Sequence, residues 1–295
     1  MSFIKRIFRS KTTPPIEQVP TAPLDPRSAI GISAIAKTHM LVGAAHSAGR
    51  GQSQDDDSFL VLTSGAEGDK GLLDFGLFCV ADGFGESERG HIASAIAIRT
   101  VAHDLTRDAF LRIFETEPSE EPMLLDELVR KSFEEANRAV LSRGAGGTTA
   151  LTAALVLGDR MVIGHVGNTR AYTILGEKVE CLTCDPALDR PHDEVGEVIE
   201  RGRNPMNPHH DLLNALGKTE EIKVDIASYA VLSGSRLLLC SDGLWSVVPD
   251  DKIRDVVTGP GSPPTTCEKL IETAKETGAK DSITVVQVIF PFELI

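Results

Sequence analysis

The segment Leu77 to Gly90, LFCVADGFGESERG, limits what this chain can become more than any other. An apolar run from Leu77 to Ala81 stops at Asp82, and Gly83 follows at once. A run of that length, bounded by an acid and a glycine, reads as a buried strand. Its end carries a carboxylate, and Gly83 lets the backbone turn tightly with its carbonyl exposed. The pattern recurs far along the chain. Arg236 to Trp245, RLLLCSDGLW, is a second apolar strand that ends on Asp242-Gly243. Two buried strands that both finish on Asp-Gly imply two carboxylates aimed into one site.

The length, 295 residues, fits one large domain or two small ones. A hydrophobic fraction of 41% suits a soluble protein with a real core, and 5% aromatics make that core aliphatic. The net charge of −13 argues against nucleic acid or an anionic membrane as the main partner. Five cysteines, with Cys79 and Cys240 in strand patterns, point to a reduced, cytoplasmic compartment. Cys181-x-x-Cys184 has no second pair or well-spaced His and reads as coincidence. No apolar run reaches the ~18 residues of a membrane span. Charges interrupt the apolar positions near the start, so no signal peptide is expected.

Residues 1–29 read as a separate basic and proline-rich segment, and residues 30–295 as the domain. Phe3, Ile4, Ile7 and Phe8 share a helical face, with Lys5, Arg6, Arg9 and Lys11 around them. Residues 1–11 could contact a membrane surface peripherally; a frayed tail is the preferred reading. Five prolines from Pro14 to Pro26 make an extended linker.

Strands are expected over Met40–His46, Ser58–Thr63 and Leu72–Ala81, followed by two helices, from about Glu88 and over Leu124–Ser142. Four short strands follow in GGTTALTAALVL, RMVIGHVG, TRAYTILG and KVECLT, typical of an antiparallel sheet. Asp185 to about Asn214 reads as a long loop or flap. Strands return over Glu221–Tyr229 and Gly234–Cys240. Helices over Asp250–Val257 and Thr265–Glu276 are separated by Ser262-Pro263-Pro264. Asp281 opens the last strand. This order suits an α+β sandwich, sheet on sheet with helices outside.

Acidic points recur at the borders of apolar strands: Asp55-Asp56-Asp57, Asp82, Asp242 and Asp281. Any one of them alone reads as turn chemistry. Together, carboxylates at neighbouring strand ends repel or protonate unless a cation sits among them. Oxygen-only ligands select Mg²⁺ or Mn²⁺. Two such ions ~3.5–4 Å apart generate hydroxide near neutral pH, the equipment of phosphoester hydrolysis.

The matching segments are DDDSFLV (55–61), VADGFG (80–85), GGTTALTAALV (146–156), HVGNTRAY (165–172), LTCDPAL (182–188), NALG (214–217), LLLCSDGLW (237–245) and AKDSITVV (279–286). In this order they resemble the metal-dependent protein phosphatases, the type 2C serine/threonine phosphatase family, in its bacterial form. The resemblance spans about Met40 to Phe290. It implies a β-sandwich of two antiparallel sheets flanked by helices on both sides. It implies two Mn²⁺ or Mg²⁺ ions, with Asp82 bridging both. It makes the Gly83 carbonyl a ligand of one and Asp242 and Asp281 ligands of the other. It implies that Asp56 and Asp57 hold metal-bound waters. The implied reaction is attack by a metal-bridging hydroxide on the phosphoserine or phosphothreonine of a protein, opposing a Ser/Thr kinase.

This chain departs from the family pattern at several points. Gln52 stands where an Arg often grips the substrate phosphate, and Arg50 is the nearby substitute. Gly144 stands where the resemblance suggests an Asp for a third ion, so none is expected through that ligand. Asn168 replaces a customary Asp and bears on packing or a hydrogen bond. Ser282 replaces an Asn, and Phe84 and Glu86 replace common residues after Asp82. His165 reads as a core residue, His91 as a helix-start residue, and Thr148 and Thr149 as strand formers. Trp245 is expected to pack under the site. His192, His209 and His210 fall in the presumed flap. The rival reading is a catalytically weak pseudophosphatase that acts as a regulatory binding module. A hydrolase of small phosphoesters is a third.

Overall fold

The computed structural model describes residues 40–49, 55–68, 71–85, 89–114, 124–183 and 214–291, all within the compact unit Lys37–Ile295. Strands β1 (Leu41–Ser47), β2 (Ser58–Gly68) and β3 (Gly71–Phe84) come first. Helix α1 (Arg89–Leu105) runs on through a π turn, Thr106–Phe110, and a 3₁₀ turn, Leu111–Phe114. Then come α2 (Leu125–Arg143), β4 (Thr148–Leu157), β5 (Arg160–Val166), β6 (Arg170–Leu175) and β7 (Lys178–Cys181). The chain continues with β8 (Asp225–Ala230), β9 (Arg236–Cys240) and the one-turn α3 (Asp242–Trp245). It ends on α4 (Asp250–Thr258), α5 (Pro263–Thr277) and β10 (Ile283–Ile289).

The strands form two five-stranded antiparallel sheets, ordered β2-β3-β4-β5-β8 and β1-β10-β9-β6-β7. The alternation of side chains along each strand explains the layers. On β3, Phe75, Leu77, Cys79 and Ala81 pack with Val101 of α1 and Phe133 of α2. Phe78 and Val80 face the other way, into a core shared with Leu237 and Leu239 of β9 and Val286 and Val288 of β10. On the far side, Leu238, Cys240 and Val285 pack with Ile253 of α4 and Leu270 of α5. The molecule is therefore helices, sheet, sheet, helices, the expected α+β sandwich.

Several boundaries differ from the sequence reading. β3 does not stop at Ala81. Asp82, Gly83 and Phe84 stay in register against Ala150, Thr149 and Thr148 of β4, which supply the pairing partners. The four short strands do not share one sheet: β4 and β5 lie in the first, β6 and β7 in the second. Pro263 and Pro264 do not separate helices but open α5, with Ser262 as its N-cap. Proline costs nothing there, because the first-turn N–H groups have no intrahelical acceptor. The helix read as continuous from Glu88 changes register after Leu105. Residues 1–39 and most of the presumed flap, with its three histidines, lie outside the described residues. So do Arg50, Gln52, Glu86 and Cys184. Among the described residues, no helix is long and apolar enough to cross a membrane.

Candidate active site

The alternation that buries Phe78 and Val80 between the sheets puts Asp82 on the same face, at one end of the shared core. Ser58 pairs with Ala81, so continuing the register by one step brings Asp57 opposite Asp82. From the other sheet, β9 runs through Ser241 into Asp242, where α3 begins. Ser241 and Thr284 bond backbone to backbone, Ser241 N–H to the Thr284 carbonyl at 3.0 Å. The Thr284 N–H also donates to Ser241 Oγ at 2.9 Å. Asp281 lies just before β10, and the Ser282 N–H donates to its Oδ1 at 2.9 Å.

Four carboxylates thus reach one end of the sandwich, two from each sheet. Asp57, Asp82 and Asp242 are buried, being only 8%, 4% and 4% exposed. Burial raises the pKa of Asp82 well above the usual carboxylate range, and the charges of Asp242, Asp57 and Asp281 raise it further. Burial pushes Asp57 up to about 8; the hydroxyls of Thr284 and Ser241 pull the other way, while Asp55 and Asp242 add to the rise. Asp56 is raised by burial too, against the His91 N–H that donates to its Oδ1 at 3.1 Å. Each of the four therefore feels at least one of the others.

Both oxygens of Asp57 and Oδ2 of Asp82 are buried with no hydrogen bond completed to them. Such atoms are costly unless protonated or met by a cation. Their chemistry, hard oxygen without sulfur or imidazole, fits Mg²⁺ or Mn²⁺. As they stand, no three acidic, imidazole or thiol side chains among the described residues close into a finished cage. Oxygens that repel one another gain nothing from closing up while no positive charge holds them.

Beneath the carboxylates lies a buried polar layer. Thr152 Oγ1 meets His165 Nδ1 at 2.9 Å and Thr169 Oγ1 at 2.7 Å. His165 is thus a core residue, as the sequence suggested. Thr149 donates its hydroxyl to the Asp82 carbonyl at 2.8 Å and pairs with Leu216 across an isolated bridge. Asn168 donates Nδ2–H to Asp242 Oδ2 at 2.8 Å, and the Trp245 indole N–H donates to the Asn168 carbonyl at 2.9 Å. The Arg170 guanidinium lies 3.5 Å from the centre of the Trp245 ring.

Two residues escaped the sequence reading. His46, next to last in β1, pairs with Thr284, and its Nδ1 lies 2.8 Å from Asp55 Oδ2. Asp55 Oδ1 in turn accepts the Asp57 N–H at 3.0 Å. Ser94 of α1 donates to the Asp56 carbonyl at 2.7 Å. The alternation Val42, Ala44, His46 was the available signal for the first. Ser94 has no local signal, because its role depends on how α1 docks.

A family model described as protein phosphatase 2C matches residues 42–284. The serine/threonine phosphatase stp of Listeria welshimeri is 29% identical over 215 residues, covering 71% of this chain and 82% of the relative. The protein phosphatase PhpP of Streptococcus pneumoniae is 26% identical over 209 residues, covering 71% and 83%. A solved catalytic domain of the serine/threonine protein phosphatase PstP, in complex with 2 manganese ions, superposes with a TM-score of 0.63 at 25% identity. That likeness covers 85% of this chain and 99% of the other. With the family model spanning both sheets and the helices between, the chain belongs to the protein phosphatase 2C family.

Proposed function

We propose that this protein phosphatase 2C member, a serine/threonine protein phosphatase, works with two divalent cations, Mg²⁺ or Mn²⁺, on phosphorylated proteins. One observation carries the reading: carboxylates from both sheets converge with buried oxygens that no protein group satisfies. Asp82, Asp242, Asp281 and the Gly83 carbonyl are the ligands in this reading. Asp56 and Asp57 hold water beside them. Bound there, the cations would supply a hydroxide nucleophile near neutral pH and offset charge on the phosphoryl oxygens. Asp57 lies one register step from Asp82, where its carboxylate would accept a hydrogen bond from a water held there. Asp55 and His46 continue that chain of contacts toward solvent.

The reading carries further assignments. The catalytic unit is residues 30–295, and residues 1–29 are an appendage to it. The protein works in the cytoplasm, in signalling, against a Ser/Thr kinase. Arg50 is the candidate grip for the substrate phosphate in place of Gln52. The PstP structure with manganese supports the choice of metal.

Turnover of a phosphothreonine peptide and of p-nitrophenyl phosphate, titrated with Mn²⁺, tests the reading. Metal-dependent release of phosphate from the peptide is expected. Asp82→Asn should lose it. No metal-dependent turnover, with Asp82→Asn indistinguishable from wild type, would leave only the regulatory binding module; equal metal-dependent turnover by both would overturn the role of Asp82. Hydrolysis confined to the small ester would make the protein a small-molecule phosphatase.

A further inference from the structure

Asn168 is held more firmly than a turn residue needs to be. Gly167 before it has φ of +102°, and a Cβ there would come within 2.5 Å of the Ala150 Cβ. The turn is therefore pressed onto β4 at the residue that pairs with Asp82. Thr169 after it bonds to Thr152. The Asn168 carbonyl accepts the Trp245 indole N–H, and Trp245 carries the Arg170 guanidinium on its ring. Every neighbour fixes where the Asn168 side chain goes. That side chain is 6% exposed; Nδ2 reaches Asp242 Oδ2, and Oδ1 is buried with no hydrogen-bond partner.

The assignment of the two amide ends follows from the contact, since a carboxylate accepts and does not donate. A neutral donor at 2.8 Å ties down one oxygen of Asp242 without adding charge to an already crowded group of acids. The Asp242 carboxylate is also close enough to Asp82 for each charge to act on the other. The Asn168 Oδ1 is a spare acceptor at the same place. In metal sites generally, partners that orient a ligand from behind are worth much of the affinity.

We propose that Asn168 is the positioning residue for the Asp242 carboxylate. Clamped between β4 and the Trp245 indole, it selects which Asp242 oxygen faces the cations and offers Oδ1 to water bound there. This rests on the reading of Asp242 as a metal ligand.

Manganese binding to the full chain, followed by electron paramagnetic resonance and calorimetry, tests it without reference to turnover. Asn168→Ala should weaken one class of Mn²⁺ site by roughly 10–100-fold and leave the other near its wild-type affinity. Asn168→Ser, too short to reach Asp242, should behave alike and serves if the alanine variant does not fold. Asp242→Asn separates the two ideas. If it binds Mn²⁺ like wild type, the assignment of Asp242 as a ligand fails. If it loses affinity while Asn168→Ala and Asn168→Ser do not, only the role of Asn168 fails. In the double variant the two losses should not add, because both act through one carboxylate. Additive losses would make Asn168 a general structural residue and overturn the proposal.

Discussion

Asp82 serves two opposed ends. Its place beside Asp57 and Asp242 suits it to the proposed cation site, and the same place makes the metal-free carboxylate unwelcome. Asp82→Asn removes the repulsion and keeps the shape. The metal-free variant should therefore melt at a higher temperature than wild type, read by thermal unfolding in chelator. Its Mn²⁺-dependent phosphatase activity should fall by about 10²–10³-fold, the scale of losing one electrostatic stabiliser. A variant that loses activity and stability together would show that Asp82 supports the fold, not the chemistry. The aspartates that converge were legible in the sequence because each follows or precedes an apolar run. The hydrogen bond from Asn168 to Asp242 was foreshadowed only as a substitution, since it joins residues 74 positions apart. The contact of His46 with Asp55 was not seen at all, because one lies on a strand and the other in the next connection.

The junction of β3 with α1 is where an element, not a side chain, sets the site. A Cβ on Gly83 would meet the Gly90 carbonyl oxygen at 2.2 Å and the Asp56 carbonyl oxygen at 2.6 Å. Both obstacles are main chain, so neither can rotate away. Gly83→Ala must force β3 from α1 and from the Asp56 segment. A loss of about 1–3 kcal/mol, the usual cost of overpacking, is expected in denaturant unfolding. Turnover should fall as well, because Asp82 and Asp56 are displaced together. Wild-type activity in a folded Gly83→Ala variant would mean that this close approach is not needed. Strand existence was readable from apolar runs, but strand ends were not. β3 outlasts its hydrophobic residues because β4 goes on offering partners through Thr148. Pro263 and Pro264 look like a break in isolation and are a helix start in place.

At the scale of the molecule, the order of strands and helices was enough to name a sandwich. It was not enough to divide the strands between sheets, because β5 and β6 are separated by only three residues and yet lie in different ones. The division matters, since it makes the site a seam: Asp57 and Asp82 come from one sheet, Asp242 and Asp281 from the other. In the proposed reading a cation at the seam would join the sheets, while the bare carboxylates repel one another across it. The folded protein holds protons on Asp57 and Asp82 to higher pH than the unfolded chain does. Folding is thus favoured while both states are protonated and is progressively disfavoured as pH rises. For Asp57 the window runs from the usual carboxylate range up to about 8. In chelator, the melting temperature should fall across that window. In excess Mn²⁺ the fall should disappear, because the metal takes the place of the protons. At a free concentration one hundred times the dissociation constant, the gain is about 2.7 kcal/mol per site. The gap between the two melting curves should therefore widen toward alkaline pH, and Asp57→Asn should flatten the chelator curve. A chelator curve that rises with pH would mean that the buried acids are not crowded, and the seam would then hold without a cation.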